Sequence, residues 1–375
     1  MKRRPSDDKV IVEAKTRSRK ERLVNNNKYI GMDVHKATTV IVVLNYLGDV
    51  VSESIIETKG PSILDFLKGI RGTLHVTFEE GCQAAWLYDL IRPYVARVLV
   101  CNPQKIAVQQ NKADKPDARR LAESLRTGGL EPVYHGEHST QPLKEYIQSH
   151  GAIVSDSTRV KCRIKSLFRG SGIDASGPGV YDKEQHEQWL DHLKTPAVRI
   201  RGSRLFSELD CLTDLREKAE KDVVREARKH PAAKILQGIP GIGPLRAAVI
   251  IAYAITPHRF RTRKQVWTYC GLAVTSRITG EYVIVDGQVR RSKKLPLVRG
   301  LNRNYNRWLK EAFKGAALTA ATGPWKFHFD AMVARGTDPS LALLTLARKL
   351  ATTSLVLWRK GERYDEQKMK RSHAA

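Results

Sequence analysis

The sequence predicts an α/β domain built on a mixed sheet, followed by a second half that is mainly helical. Three observations carry this. Residues 28–57 hold three strand-like runs in close succession, residues 61–101 alternate between helix-like and strand-like runs, and after about residue 142 apolar side chains recur at helical spacing.

The first run, KYIGMDVHK at 28–36, reads as a short buried strand through Tyr29, Ile30, Met32 and Val34, with Asp33 placed where an apolar residue is expected. A carboxylate there needs a partner. Taken alone, Asp33 can equally close the strand end and bind nothing. The run 37–45 is β-branched, Gly48 and Asp49 signal a turn, and 50–57 is a third strand. Residues 61–70 are a helix with Pro61 in its first turn. Residues 73–79 are a fourth strand ending on Glu79, 82–94 a helix and 96–101 a fifth strand. Strands and helices alternating after an opening meander argue an α/β domain of the ribonuclease-H kind.

Residues 112–123, KADKPDARRLAE, start another helix. Asp114 suits its N-cap, Pro116 its first turn, and Asp117 lies three residues on, so both carboxylates point one way. On this segment alone, capping and dipole compensation account for both acids. Together with Asp33 and Glu79 they suggest more: two acids at strand positions and two on a helix that can pack across the sheet. Four such carboxylates suit Mg²⁺ or Mn²⁺, which would orient and polarise a phosphodiester. Like charges that close need a cation.

The later chain reads in the same way. Residues 142–169 are a basic helical segment, 171–181 a Gly-rich loop, and 199–230 a long helix on the order of 45 Å. Its seam, Leu205, Leu209, Leu212, Leu215, Ala219 and Val223, suits either a coiled-coil contact or a plain amphipathic connector. In LQGIPGIGPLRAA, 236–248, a helix, a tight Gly-Ile-Gly turn and an apolar helix make a helix-hairpin-helix pattern whose glycines either admit a phosphate to backbone N–H groups or only punctuate helix packing. Between residues 258 and 310 there are thirteen Lys/Arg against two acids, interleaved with Trp267, Tyr269, Tyr282, Tyr305 and Trp308, a composition suited to holding nucleic acid strands. Asp286-Gly287 marks a hairpin turn. Residues 296–321 and 339–358 read as helices, and the tail from 361 is polar.

Composition narrows the partners. With 65 Lys+Arg against 39 Asp+Glu over 375 residues, the formal charge of +26 makes nucleic acid the leading one. Residues 1–27 carry nine Lys/Arg against four acids and read either as a flexible basic arm or as a disordered tail with no role. The five cysteines form no C-x-x-C pair, so neither a zinc knuckle nor a disulfide framework is indicated and a reducing cytosol fits. No signal peptide is evident, and the apolar run 340–358 is broken by Arg348 and Lys349, so a soluble protein is expected.

The motifs GMDVHK, FEEG, KADKPDARRLA, GIPGIGPLRAA, YCGLAV, RGLNRNYNRWLK and FKGAA, in this order from Tyr29 to about Lys360, resemble the DEDD insertion-sequence transposases, relatives of Piv-type invertases that include bridge-RNA-guided recombinases. The resemblance implies a RuvC-like catalytic domain over 28–170, a helical coiled-coil region over 171–230 and a C-terminal transposase domain with a helix-hairpin-helix over 231–360. A polar tail follows at 361–375. It implies that Asp33, Glu79, Asp114 and Asp117 hold Mg²⁺ or Mn²⁺. It further implies that a C-terminal hydroxyl attacks the scissile phosphate and forms a covalent link. Thr279, followed by Gly280, stands where the family's serine aligns, and Ser276 lies three residues earlier; both are candidates. The expected partners are DNA, a guide RNA and further copies of the chain, at the bacterial nucleoid. The rival expectations are a junction-resolving nuclease that uses water as nucleophile, and a nucleic-acid-binding relative without activity.

Overall fold

The computed structural model describes residues 26–102, 117–133, 140–277, 282–285, 287–291 and 298–366. The basic arm up to residue 25, Asp114, Thr279 and Asp286 lie outside the described residues. The chain forms two compact units, Met1–Gly136 and Glu137–Ala375.

The first unit is a five-stranded mixed sheet of β1 (Asn27–Val34), β2 (Thr38–Leu44), β3 (Val50–Glu57), β4 (Thr73–Glu79) and β5 (Arg97–Cys101), in the order β3-β2-β1-β4-β5. The opening meander is antiparallel, β1 with β2 and β2 with β3, whereas β1 with β4 and β4 with β5 are parallel. The two-residue alternation of β1 decides what covers each face. Ile30 and Met32 turn to a core shared with Ile41, Val76, Phe78 and the helices α1 (Gly60–Gly69) and α2 (Ala84–Ile91), through Ile63, Leu67, Leu87 and Ile91. Each such side chain removed from water contributes about 1.5–3 kcal/mol.

On the opposite face lies α3 (Asp117–Thr127), which buries Ala118, Leu121, Ala122 and Leu125. It meets β1 at Gly31, where an added Cβ would stand 2.0 Å from the Ala118 carbonyl oxygen. Backbone touches backbone there, so only glycine fits. The strand and helix positions of this half follow the sequence reading to within two residues, apart from a 3₁₀ turn, Arg92–Tyr94, that closes the second helix.

The second unit is mainly helical. Helix α4 (Gln141–Gly170) runs along α6 (Pro196–Ala227), with the short α5 (His186–Asp191) between them in sequence. At 32 residues α6 spans about 48 Å. Its seam is satisfied within the chain: Leu205, Phe206 and Leu209 pack with Val160, Ile164, Leu167 and Phe168 of α4, while Val223 and Ala227 pack with Leu143 and Ile147. Midway the seam opens, leaving Leu215 and Val154 exposed. This pairing puts α4 in the second unit, which begins at Glu137.

Helices α7 (Ala232–Gln237) and α8 (Pro244–Ala254) flank the Gly-rich turn. Gly241 there has φ +78°, and a Cβ on it would lie 2.2 Å from the Ala316 carbonyl oxygen of α10 (Arg307–Ala321). Arg246 closes the same contact, its Nη1 donating to the Gly241 carbonyl at 2.7 Å and to Thr319 Oγ1 at 3.1 Å. Next come α9 (Arg263–Tyr269), the antiparallel strands β6 (Val274–Arg277) with β9 (Val298–Leu301), and β7 (Tyr282–Val285) with β8 (Gln288–Arg291).

Two features depart from the sequence reading. The helix expected over 296–321 begins only at Arg307, because Val298–Leu301 pairs as a strand and Asn306 caps the helix by accepting from Leu309 N–H. Helix α11 (Lys326–Ala334) was not anticipated. The last helix, α12 (Pro339–Lys360), starts on an Asp338 cap and ends on Gly361 in the left-handed region. It is long and apolar enough to cross a membrane by length and composition, but it buries Ala342, Leu346, Ala347, Leu350 and Ala351 in the unit's core.

Candidate functional site

Register brings the two strand carboxylates together. Met32 of β1 stands beside Phe78 of the parallel β4, so Asp33 and Glu79 follow at neighbouring strand ends. The backbone contact at Gly31 fixes the start of α3 over the same place, and Asp117 is its first residue. Burial pushes the Glu79 carboxyl above its usual range, and the charges of Asp117 and then Asp33 push it further, against Arg120. Three of the four expected acids therefore share one electrostatic neighbourhood, and Asp114 lies outside the described residues. Buried Cys101, paired with Glu79 across β4 and β5, has its thiol pushed up to about 11, mainly by burial and further by the Glu79 charge. It is a packed core thiol and not a nucleophile.

Two basic side chains attend these acids. His35 Nε2 lies 3.2 Å from the Asp33 carboxylate, and Arg120 Nη2 lies 2.9 Å from Asp117. Arg120 lies three residues after Asp117 on the same helix, and His35 stands just past the end of β1, two residues after Asp33. Among the described residues no three His, Cys, Asp or Glu side chains form a set that could hold a metal ion. The donor chemistry nonetheless suits one: carboxylate oxygens are hard ligands, and Glu79, raised by burial and then by the charges of Asp117 and Asp33, would gain from a divalent cation.

The hydroxyl candidates belong to the second unit. Ser276 sits in β6 at the register position opposite Arg299, and Thr279 lies outside the described residues. The turn leading into β6 is held from several sides. Leu272 and Ala273 N–H groups both donate to the Trp267 carbonyl, and Asn302 N–H donates to the Ala273 carbonyl. Arg348 of α12 donates from Nε to the Leu272 carbonyl at 2.6 Å, and its guanidinium lies over the Trp267 ring. Trp267 Nε1 donates back to the Arg348 carbonyl and to Thr352 Oγ1. Sequence reading missed Arg348 because it lies 76 residues away inside an apolar helix, where a charge looks like mere interruption.

The basic region of this unit is partly engaged in the fold. Arg259 donates to the Tyr253 carbonyl and the Tyr269 hydroxyl, Arg307 pairs with Glu311, and Lys310 lies 3.9 Å over the Tyr305 ring.

Comparison with known proteins gives the family. A family model of the DEDD, IS110 type, described as a transposase, matches residues 30–172, and one described as the transposase IS116/IS110/IS902 family matches residues 233–328. The transposase for insertion sequence element IS1533 of Leptospira borgpetersenii is 26% identical over 174 residues, 44% of this chain and 50% of that protein. An uncharacterized 43.6 kDa protein of insertion element IS110 from Streptomyces coelicolor is 27% identical over 346 residues, 78% of this chain and 80% of that one. The transposase for insertion sequence element IS1111A of Coxiella burnetii is 24% identical over 223 residues, 56% of this chain and 60% of that protein. The chain thus spans about half the length of the Leptospira relative and most of the Streptomyces one. With the carboxylates on the first matched segment and the Gly-rich turn on the second, the chain belongs to the IS110-type DEDD transposase family.

Proposed function

We propose that this protein is a transposase that cuts and rejoins DNA strands to move an insertion sequence. The observation that carries the reading is the raised carboxyl of half-buried Glu79, which stands beside Asp33 at the ends of adjacent parallel strands and feels the charge of Asp117 on the helix. Folding gains nothing from crowding acids in this way, and perturbed groups of this kind mark reactive sites.

In this reading Asp33, Glu79, Asp114 and Asp117 hold Mg²⁺ or Mn²⁺. When bound, the cation supplies Lewis-acid stabilisation of charge on the phosphate oxygens. The chain's own groups do the rest. His35 and Arg120 orient Asp33 and Asp117. The hydroxyl of Thr279 or Ser276 attacks phosphorus, forming an O–P bond as the bond to the leaving sugar oxygen breaks, and Arg348 with Trp267 steadies the turn that carries it. The basic arm of residues 1–27 and the cationic stretch of 258–310 grip DNA and a guide RNA through their phosphates. The turn between α7 and α8 acts as a helix-hairpin-helix, and the open middle of α6 pairs with another copy of the chain. The matching domain plan is a RuvC-like unit to about 170, a coiled-coil region to 230 and the transposase domain to 360.

The test is strand exchange between two plasmids carrying element ends, with the purified protein, Mg²⁺ and the RNA transcribed beside the gene. Asp33→Asn and Glu79→Gln are expected to abolish exchange while leaving DNA binding intact. Denaturing capture of a protein–DNA adduct, followed by peptide mapping, should place the link at Thr279 or Ser276. Free 5′-phosphate ends with no adduct would replace this reading with a water-dependent nuclease.

A further inference from the structure

The C-terminal end of α4 closes the first family match and leads into the segment between the two matches, residues 173–232. Three basic residues there, Lys161, Lys165 and Arg169, follow one another at four-residue steps, so they line one face of the helix about 6 Å apart along its axis. Their neighbours are neutralised: Arg159 pairs with Asp156, and Arg163 pairs with Glu208 across to α6. None of the three forms an ion pair with a described acid.

Two of them are held in place by an aromatic ring. Lys161 Nζ lies 5.0 Å and Lys165 Nζ 5.5 Å from the centroid of Tyr181, which is half-buried against the core of α4 and α6 and donates its hydroxyl to the Lys161 carbonyl. Ammonium groups kept over a ring have already given up much of the side-chain freedom that a ligand would otherwise have to take from them. Beyond them opens a cavity of about 510 Å³ lined by Lys165, Arg169 and the loop Gly172–Gly177. The one acid on that loop, Asp174, accepts from Ser176 N–H and Oγ and faces the two cations, Lys165 and Arg169, that line the cavity with it.

We propose that Lys161, Lys165, Arg169 and the loop at Gly172–Gly177 form a phosphodiester-binding clamp for a nucleic acid backbone, separate from the carboxylate site and positioned by Tyr181. A succession of fixed cations along one helix face tracks a polyphosphate rather than a single anion, and the chain's charge of +26 favours nucleic acid over other polyanions. Nothing in the cluster reads bases, so the contact is independent of sequence. The inference stands whether or not the carboxylates of the first unit perform chemistry.

The test is fluorescence anisotropy of the full chain with random-sequence single-stranded RNA, single-stranded DNA and duplex DNA over a salt series. The combined variant Lys161→Gln, Lys165→Gln and Arg169→Gln is expected to weaken binding roughly tenfold or more at 0.1 M salt. The slope of log Kd against log salt should shrink by about two to three units on whichever polymer the clamp holds. Tyr181→Leu should reproduce a several-fold part of this loss, and Tyr181→Phe, which keeps the ring, should restore it. The titrations are run in chelator and read binding alone, so failure of the catalytic reading would leave this result untouched. Unchanged affinity and slope on all three polymers, with unchanged melting of the variant, would overturn the clamp, as would equal losses for Tyr181→Phe and Tyr181→Leu.

Discussion

Both units bring two backbones into direct contact through a glycine, and they use the contact for opposite ends. In the first, Gly31 lets α3 settle on the central strand, which sets the Asp117 charge beside Glu79 and Asp33. In the second, Gly241 lets the turn before α8 settle on Ala316, and what gathers around it is apolar: Ala316, Ala317 and Ala320 of α10, with Ile239 and Ile242 of the turn. The one charge at that contact, Arg246, is tied to the Gly241 carbonyl, and burial holds its pKa below the usual arginine value. The contact at Gly241 gathers methyl groups, and the contact at Gly31 gathers charges that repel one another.

That contrast is breakable in three places. The largest effect is expected for Gly31→Ala, because β1 lies in the middle of the sheet and cannot retreat from a methyl group set 2.0 Å from a carbonyl oxygen. The first unit should lose on the order of 3 kcal/mol. Hydrogen exchange should show Asp117–Thr127 losing protection before the strands do. If α3 stayed protected, the helix would not be held by that contact.

Gly241→Ala combines a similar clash with a φ of +78°, but the turn is half-exposed and can give way. A loss of about 2 kcal/mol is expected, read as an earlier melting transition with the peptides of the first unit unaffected.

The smallest effect has the opposite sign. Because the folded Glu79 carboxyl lies above its usual value of 4.5, the protonated form is favoured by folding. That contribution is present in acid and is lost as pH rises through the raised value. At neutral pH in chelator, Glu79→Gln should therefore raise the first unit's stability by up to about 1 kcal/mol, less any solvent screening, and the gain should fade as the pH is lowered. Asp33→Asn should shift the midpoint of that pH dependence downward. Added Mg²⁺ should stabilise the wild type and not the Gln variant, which a thermal melt series with and without metal reads directly. A destabilised Glu79→Gln at pH 7 would mean that the acid is kept for structure.

How much of this was legible from the residues differs between the units for a physical reason. The strands of the first unit announce themselves by β-branched runs and by Asp33 and Glu79 at their ends, so the sheet and the pairing of those acids could be read from local pattern. The role of Gly31 could not, because a glycine in a strand reveals nothing about the helix that will press on it. In the second unit the long helices followed from spacing, but Val298–Leu301 became a strand only because Val274–Arg277 offered it a partner. Such pairing overrides local helix preference. Arg348 was hidden similarly: its significance lies in Leu272 and Trp267, far from it in sequence. The clamp at Lys161, Lys165 and Arg169 was visible only as a basic helix until Tyr181 and the acids pairing with their neighbours told the free charges from the spent ones.

The tie between Arg348 and the Leu272 carbonyl also bears on synthesis. A ribosome delivers the turn at 270–273 long before it delivers α12, so the turn waits without two of its anchors, Arg348 and Thr352, until the last helix emerges and docks. A chain broken off before residue 348 would display the whole carboxylate unit and the paired helices, yet would hold the approach to β6 only by its own backbone. Translation order thus makes the firm seating of that strand one of the last features of the molecule to be completed.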